Sequence, residues 1–185
     1  MSTTTGTQRF NGFDTELIGG LFAHLESDPE AGRMTMTADA RWEDGWNSAI
    51  SHPYLEVDGQ RHDRSALGGR SDEPSFLGGA DSAPSPGELL MQALAACLTA
   101  ATAAAATLGG VRLDSLSVHV DGDVDMHGAL PESGVRPGFG TLRARVEIAG
   151  DTDEETLSAI VAQGAAISPV RDTIAAGAVV DVVRA

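Results

Sequence analysis

One cysteine, Cys97, stands in the run Leu94-Ala95-Ala96-Cys97-Leu98. A thiol held as thiolate is a strong nucleophile, and the same sulfur among alanines and leucines is also an ordinary small core residue. Its place in the chain does not activate it. Cys97 falls about three turns into an Ala-rich helical run, while the helix dipole acts mainly within the first turn. A thiolate there needs a cation from elsewhere: Arg41 at a first hairpin, or Arg61, Arg64 or Arg70 in the stretch that follows. The residues alone do not choose among these.

Glu88 is the nearest carboxylate on the same helix, nine residues before Cys97. At ~100° and ~1.5 Å per residue the two lie on opposite sides and ~13 Å apart along the axis. If both serve one site, Glu88 comes from a second copy of the chain. The alternative is a first-turn acid favoured by the helix dipole. Ala93, Ala100, Ala101 and Ala104 surround Cys97 at helical spacing. Small residues there admit a second helix closely, at the centre of a dimer or in a monomer core.

Other constellations carry less. Asp121, Asp123, Asp125 and Glu132 match calcium-loop spacing, but the sixth position, where glycine is required, is Met126. His119 and His127 lack metal-ligand spacing, so no metal and no cofactor are expected. Gly78-Gly79 lacks the strand-to-helix context of a phosphate loop. Trp42 and Trp46 flank a turn and read as packing residues. Ser168, before Pro169, is expected to make a local hydrogen bond at a helix break.

Composition narrows the classes further. The 185 residues carry a net charge of −15, with 42% hydrophobic and 4% aromatic residues. That length suits one well-cored domain. The acidity argues against nucleic acid and anionic membrane surfaces as partners. One cysteine makes no internal disulfide, and Met1-Ser2-Thr3-Thr4-Thr5 lacks the features of a secretory signal, so the expected compartment is the cytoplasm. The run 89–108 is long enough to span a bilayer, but it is Ala-rich, holds Gln92, Thr99, Thr102 and Thr107, and reads as a buried helix.

The elements follow from periodicity. Residues 1–12 are polar and expected to be mobile. Asp14 or Thr15 caps a helix with Leu17, Ile18, Leu21, Phe22 and Leu25 on one stripe, ended by Asp28-Pro29. Met34, Met36, Ala38 and Ala40 alternate with polar residues as one half-buried strand, partnered after Glu43-Asp44-Gly45 by a strand over Trp46–Ile50. Tyr54–Val57 is a third strand, and residues 60–83 read as a long loop. A central helix runs from Pro86 to Leu108 and stops at Gly109-Gly110. Strands around Leu116–Val120 and Leu142–Ile148 form a hairpin. Thr152 or Asp153 caps another helix, Ser168-Pro169 breaks it, a short helix reaches Ala176, and Val179–Val183 closes as a strand. This order is α+β.

The run Gly79-Ala80-Asp81-Ser82-Ala83-Pro84-Ser85-Pro86-Gly87-Glu88-Leu89-Leu90, followed by Ala95-Ala96-Cys97-Leu98, resembles the central motif of the OsmC/Ohr family. The resemblance continues through Gly122-Asp123-Val124-Asp125, Arg136-Pro137-Gly138-Phe139 and Ser168-Pro169-Val170-Arg171-Asp172-Thr173. It implies an N-terminal extension over residues 1–32 and a family domain over 33–185, with antiparallel sheets around a long central helix in an intertwined homodimer. It further implies a peroxidase in which Cys97 attacks the peroxide, helped by an arginine and a glutamate. Arg41 takes the arginine place and Glu88 aligns one residue after the family's glutamate, where this chain has Gly87. The family's resolving cysteine is Ser168 here, which excludes a two-cysteine cycle within the chain.

Two functional readings follow. The first is a thiol-dependent peroxidase that reduces organic hydroperoxides through Cys97 with an external thiol reductant, in oxidative-stress defence. The second is a non-catalytic binding protein that keeps a pocket for an apolar ligand at the dimer interface.

Overall fold

Asn11 and Gly12 both adopt positive φ, 48° and 83°, and so close a two-residue hairpin between β1 (Arg9–Phe10) and β2 (Phe13–Asp14). An Asn-Gly pair suits that turn because both of its central residues need left-handed backbone. In this computed structural model residues 9–28 and 30–184 are described. Residues 9–12 are therefore hairpin rather than mobile tail, while the expectations for residues 1–8 and for Pro29 fall outside the described residues. The chain divides into two compact units, Met1–Leu89 and Leu90–Ala185.

In the first unit Asp14 caps α1 (Thr15–Ser27), its carboxylate accepting the Leu17 N–H at 3.0 Å. Leu17, Leu21 and Phe22 on the apolar stripe stay exposed. Two three-stranded antiparallel sheets follow. One is ordered β3 (Met34–Met36), β6 (Tyr54–Val57), β7 (Gln60–Asp63). The other is ordered β4 (Asp39–Asp44), β5 (Asn47–Ser51), β8 (Gly68–Ser71).

The strand expected through Met34–Ala40 is two strands in different sheets, with Met34 and Met36 exposed rather than half-buried. The break falls at Thr37, whose hydroxyl donates to the Tyr54 carbonyl at 2.5 Å and accepts the Tyr54 N–H at 3.2 Å. Those bonds take the place of ladder bonds and let the chain change sheets. The stretch 60–83, expected as loop, contains β7, β8 and a 3₁₀ turn over Ser75–Leu77.

The rest of that stretch is organised by Asp72. Its side chain has no exposed surface and accepts the N–H groups of Glu73, Ala80 and Ser82 and the Ser82 hydroxyl, at 2.8–3.1 Å. These bonds, that from the Ser82 N–H foremost, hold the carboxyl below its ordinary range, against the opposing pull of burial.

α2 (Pro86–Leu108) begins in the first unit and runs through the second. Its bounds match the expected helix. By length and composition it could cross a membrane, yet Leu94, Leu98, Thr102, Ala105, Ala106 and Thr107 are buried within the protein. Gly110, at φ 70°, ends it. The Val111 N–H reaches the Ala106 carbonyl and the Gly110 N–H the Thr107 carbonyl, the paired bonds of a glycine-terminated helix.

β9 (Leu113–Gly122) and β10 (Leu142–Gly150) then form an antiparallel hairpin, with Leu116 opposite Ile148, Val118 opposite Val146 and Val120 opposite Ala144. Asp153 caps α3 (Glu154–Ala166), and Ser168-Pro169 opens α4 (Pro169–Ala176). Ala105, Ala106, Val111 and Ile160 form the core, flanked by Leu113 and Ile148. The expected closing strand is absent among the described residues. Val179, Val180, Val182 and Val183 are exposed and, among the described residues, pair with no strand. The architecture is α+β, with antiparallel sheets and one long helix.

Candidate functional site

α2 sets the position of the sulfur, and its first turn explains why the helix starts where it does. Ser85 and Glu88 form a reciprocal capping box. Glu88 Oε2 accepts the Ser85 N–H at 2.7 Å and its hydroxyl at 2.9 Å, while the Glu88 N–H donates to Ser85 Oγ at 3.3 Å. Pro86 follows as the first helical residue, where its missing N–H removes no helical bond. The bonds from Ser85, that from its N–H foremost, hold the Glu88 carboxyl below its ordinary range. Alanines fill the next turns, giving high helix propensity and little side-chain bulk around Cys97.

Cys97 is half-buried. Its sulfur meets Ser168, whose Oγ lies 3.1 Å from Cys97 Sγ. Ser168 is fully buried and stands at the N-cap of α4, where Oγ also accepts the Arg171 N–H at 3.3 Å. The expected local bond of Ser168 is therefore present, and the same oxygen also reaches the thiol. Ser168 is thus in contact with Cys97, across 71 positions of sequence.

The adjoining face of α2 opens on a cavity of about 740 Å³, lined by Leu90, Leu94 and Leu98 of α2, Leu142 and Val146 of β10, and Ile174 of α4. Arg136 and Arg171 also line it, and none of its lining residues is acidic. Arg136 is fixed by donating from Nη1 to the Phe139 carbonyl at 2.6 Å. The structure therefore supplies a polar partner for the thiol and, on the next face of its helix, an apolar hollow whose lining includes two arginines.

The other expected residues lie in the first unit. Arg41 is on β4, mostly exposed, with Nη2 3.5 Å from Glu43 Oε1. Arg70 on β8 pairs more closely with the other oxygen of Glu43, at 2.6 Å, and donates to Asn47 at 3.4 Å. Arg61 pairs with Glu56 at 2.8 Å and stacks over the Tyr54 ring. Arg171 was not among the sequence candidates. Its signal was the offset of three residues from Ser168, which places its N–H on the capping oxygen and starts its side chain in the same helical turn.

The acidic run at calcium-like spacing is engaged otherwise. Arg143 donates to Asp121 at 2.7 Å and to Asp123 at 2.9 Å, and the first of these bonds lowers the Asp121 carboxyl from its ordinary range. Asp125 caps a 3₁₀ turn and meets the His127 ring at 2.7 Å. Among the described residues no group of three His, Cys, Asp or Glu side chains is placed to hold a metal.

Residues 79–183 match the family model described as OsmC-like protein. The chain belongs to the OsmC-like family. Solved structures agree with this OsmC-like architecture at low identity. An organic hydroperoxide resistance protein OsmC from Legionella pneumophila is 23% identical with a TM-score of 0.51, over 76% of this chain and 88% of that one. An organic hydroperoxide resistance protein from Elizabethkingia anophelis is 19% identical with a TM-score of 0.56, over 77% and 89%. A Psychrobacter arcticus structure described as a putative osmotic stress induced and detoxification response protein is 16% identical with a TM-score of 0.57, over 75% and 88%. At these identities the likeness concerns the fold. A search of curated proteins finds no match.

Proposed function

We propose that this OsmC-like protein is a thiol-dependent peroxidase that reduces organic hydroperoxides through Cys97 with an external thiol, in oxidative-stress defence in the cytoplasm. The observation that carries the reading is the Ser168 hydroxyl on Cys97 Sγ, at 3.1 Å, beside a largely apolar hollow whose lining includes Arg136 and Arg171. Two structural neighbours are organic hydroperoxide resistance proteins, which points the same way. Cys97 is the nucleophile, an arginine favours its anionic form, and a glutamate orients that arginine. Arg41 and Glu88 are assigned these parts through a second copy of the chain, since Glu88 cannot fold back along its own helix to Cys97.

A homodimer is part of the proposal. Among the described residues of the first unit no apolar side chain is fully buried, and Trp42, Trp46 and Phe76 are exposed. The four tail valines of the second unit are exposed as well. Exposed apolar side chains of this kind suit an interface, and a second copy of the chain is the partner assigned to them.

The second reading, a binding protein without turnover, is favoured by serine at position 168, which leaves no internal thiol to resolve an oxidised Cys97. Intact-mass spectrometry after one equivalent of cumene hydroperoxide separates the two. The peroxidase gains one oxygen on Cys97, reversed by dihydrolipoamide, at a rate far above that of free cysteine. A binder shows a silent thiol, with Cys97→Ser indistinguishable from wild type in peroxide consumption.

A further inference from the structure

The fate of an oxidised Cys97 depends on what stands beside it. Ser168 Oγ is fully enclosed and carries one proton. The Arg171 N–H donates to this oxygen at 3.3 Å, and Cys97 Sγ is the acceptor placed for the hydroxyl proton, at 3.1 Å. The result is a chain of donors, from amide N–H to hydroxyl to sulfur. It begins in the first turn of α4, at the positive end of that helix. Each donor in such a chain polarises the next, and a bond to a charged acceptor is about twice as strong as one to a neutral acceptor. The arrangement therefore favours sulfur that bears negative charge.

We propose that Ser168 is the positioning residue for the Cys97 sulfur: its hydroxyl donates to the thiolate before reaction and to the sulfenate afterwards, and leaves resolution to an incoming thiol. This rests on the peroxidase reading. Cys97 thiolate attacks the terminal oxygen of ROOH; an S–O bond forms as the O–O bond breaks, and RO⁻ leaves to take a proton from water. Sulfur is oxidised by two electrons and the hydroperoxide is reduced by the same two. An external thiol then attacks the sulfenic sulfur, water leaves, and a second thiol releases Cys97 and departs as the disulfide. A serine hydroxyl does not perform that displacement, so Ser168 stabilises the intermediate without consuming it.

The test begins without peroxide. Iodoacetamide alkylation of the native protein is followed across a pH series. Ser168→Ala is expected to slow alkylation at neutral pH about tenfold, the effect of losing one bond to a charged group. Ser168→Thr restores the wild-type profile. Ser168→Ala also removes the α4 cap, so Ser168→Gly, which keeps most capping stability, must slow alkylation alike. Thermal melts identify any variant that fails to fold. Wild-type profiles in both Ala and Gly variants overturn the proposal, because a purely structural serine would change only the melt.

A second arm uses one equivalent of cumene hydroperoxide. Wild type gives a dimedone-reactive sulfenic acid, while Ser168→Cys is expected to give an intramolecular disulfide, since the side-chain tips at 168 and 97 already meet at 3.1 Å. A Ser168→Cys protein that stops at sulfenic acid overturns the placement. If neither protein oxidises while the alkylation profiles respond as expected, the peroxidase reading fails and the donor role of Ser168 stands.

Discussion

Gly164 on α3 faces Thr102 on α2 so closely that a Cβ on Gly164 would lie 2.5 Å from Thr102 Oγ1 and 2.7 Å from its Cα. The two helices of the second unit meet there because one residue has no side chain. Gly164→Ala is expected to destabilise the protein by about 1–3 kcal/mol, the usual range for forcing a methyl group into a filled core. Thr102→Ala added to it should not restore stability, since the clash includes the Thr102 backbone nitrogen at 2.8 Å. Thermal melts of the single and double variants decide it.

Thr102 carries a second consequence. Among the described residues its buried Oγ1 has no hydrogen-bond partner. Thr102→Val keeps the shape and removes the stranded hydroxyl, so it should stabilise by about 1 kcal/mol. A fall in the melting temperature would mean that the hydroxyl has a partner such as ordered water.

The capping box at the start of α2 separates two roles of Glu88. Ser85→Ala should lower stability by about 1 kcal/mol through the lost cap. Glu88→Gln keeps the side-chain acceptor that the box needs, so its melt should stay near wild type. If Glu88 acts in catalysis by charge, Glu88→Gln lowers peroxide turnover without lowering the melt. Equal turnover would confine Glu88 to starting the helix.

The helices were legible because their ends are written in residue types. Pro86 and Gly109-Gly110 bound α2, Asp153 caps α3, and Ser168-Pro169 separates α3 from α4. β7 and β8 were not, because Gln60–Asp63 is exposed at every position and Gly68-Gly69 offers no apolar alternation. Periodicity reports a buried face, and a strand without one is silent. The tail valines mislead in the opposite sense: Val179–Val183 has strand composition but, among the described residues, joins no strand. At the site, serine in the resolving place could be read from the motif. Its contact with Cys97 could not, since it depends on the tertiary approach of α2 and α4.

Asp72 makes stability depend on acid in a definite direction. Its carboxyl is held below the ordinary value of 3.8 by the Ser82 N–H and its companions. As pH falls, the unfolded chain takes up this proton before the folded protein does. The contribution is therefore complete above pH ~4, the unfolded value, and is lost as pH drops through the folded one. Asp72→Asn presents an amide to three backbone donors, so it should destabilise at neutral pH and flatten this acid-dependent part. Calorimetric melts over an acid series provide the check, and parallel curves for the two proteins would count against the assignment.

The valine tail gives the most direct test of the proposed dimer. Val180 and Val182 are both exposed, and burying each in an interface is worth about 1.5–3 kcal/mol. A chain ending at Gly177 should therefore dissociate at concentrations at least tenfold higher than wild type, as read by light scattering across a dilution series. Val182→Asp should weaken association in the same direction while keeping the chain length. The helical signal should survive in both variants, since the described core lies in Ala105, Ala106, Val111 and Ile160 and not in the tail. Loss of helix together with loss of dimer would mean that the second unit folds only on its partner. Unchanged dimers in both variants would remove the tail from the interface and return the exposed valines to being without an assigned partner.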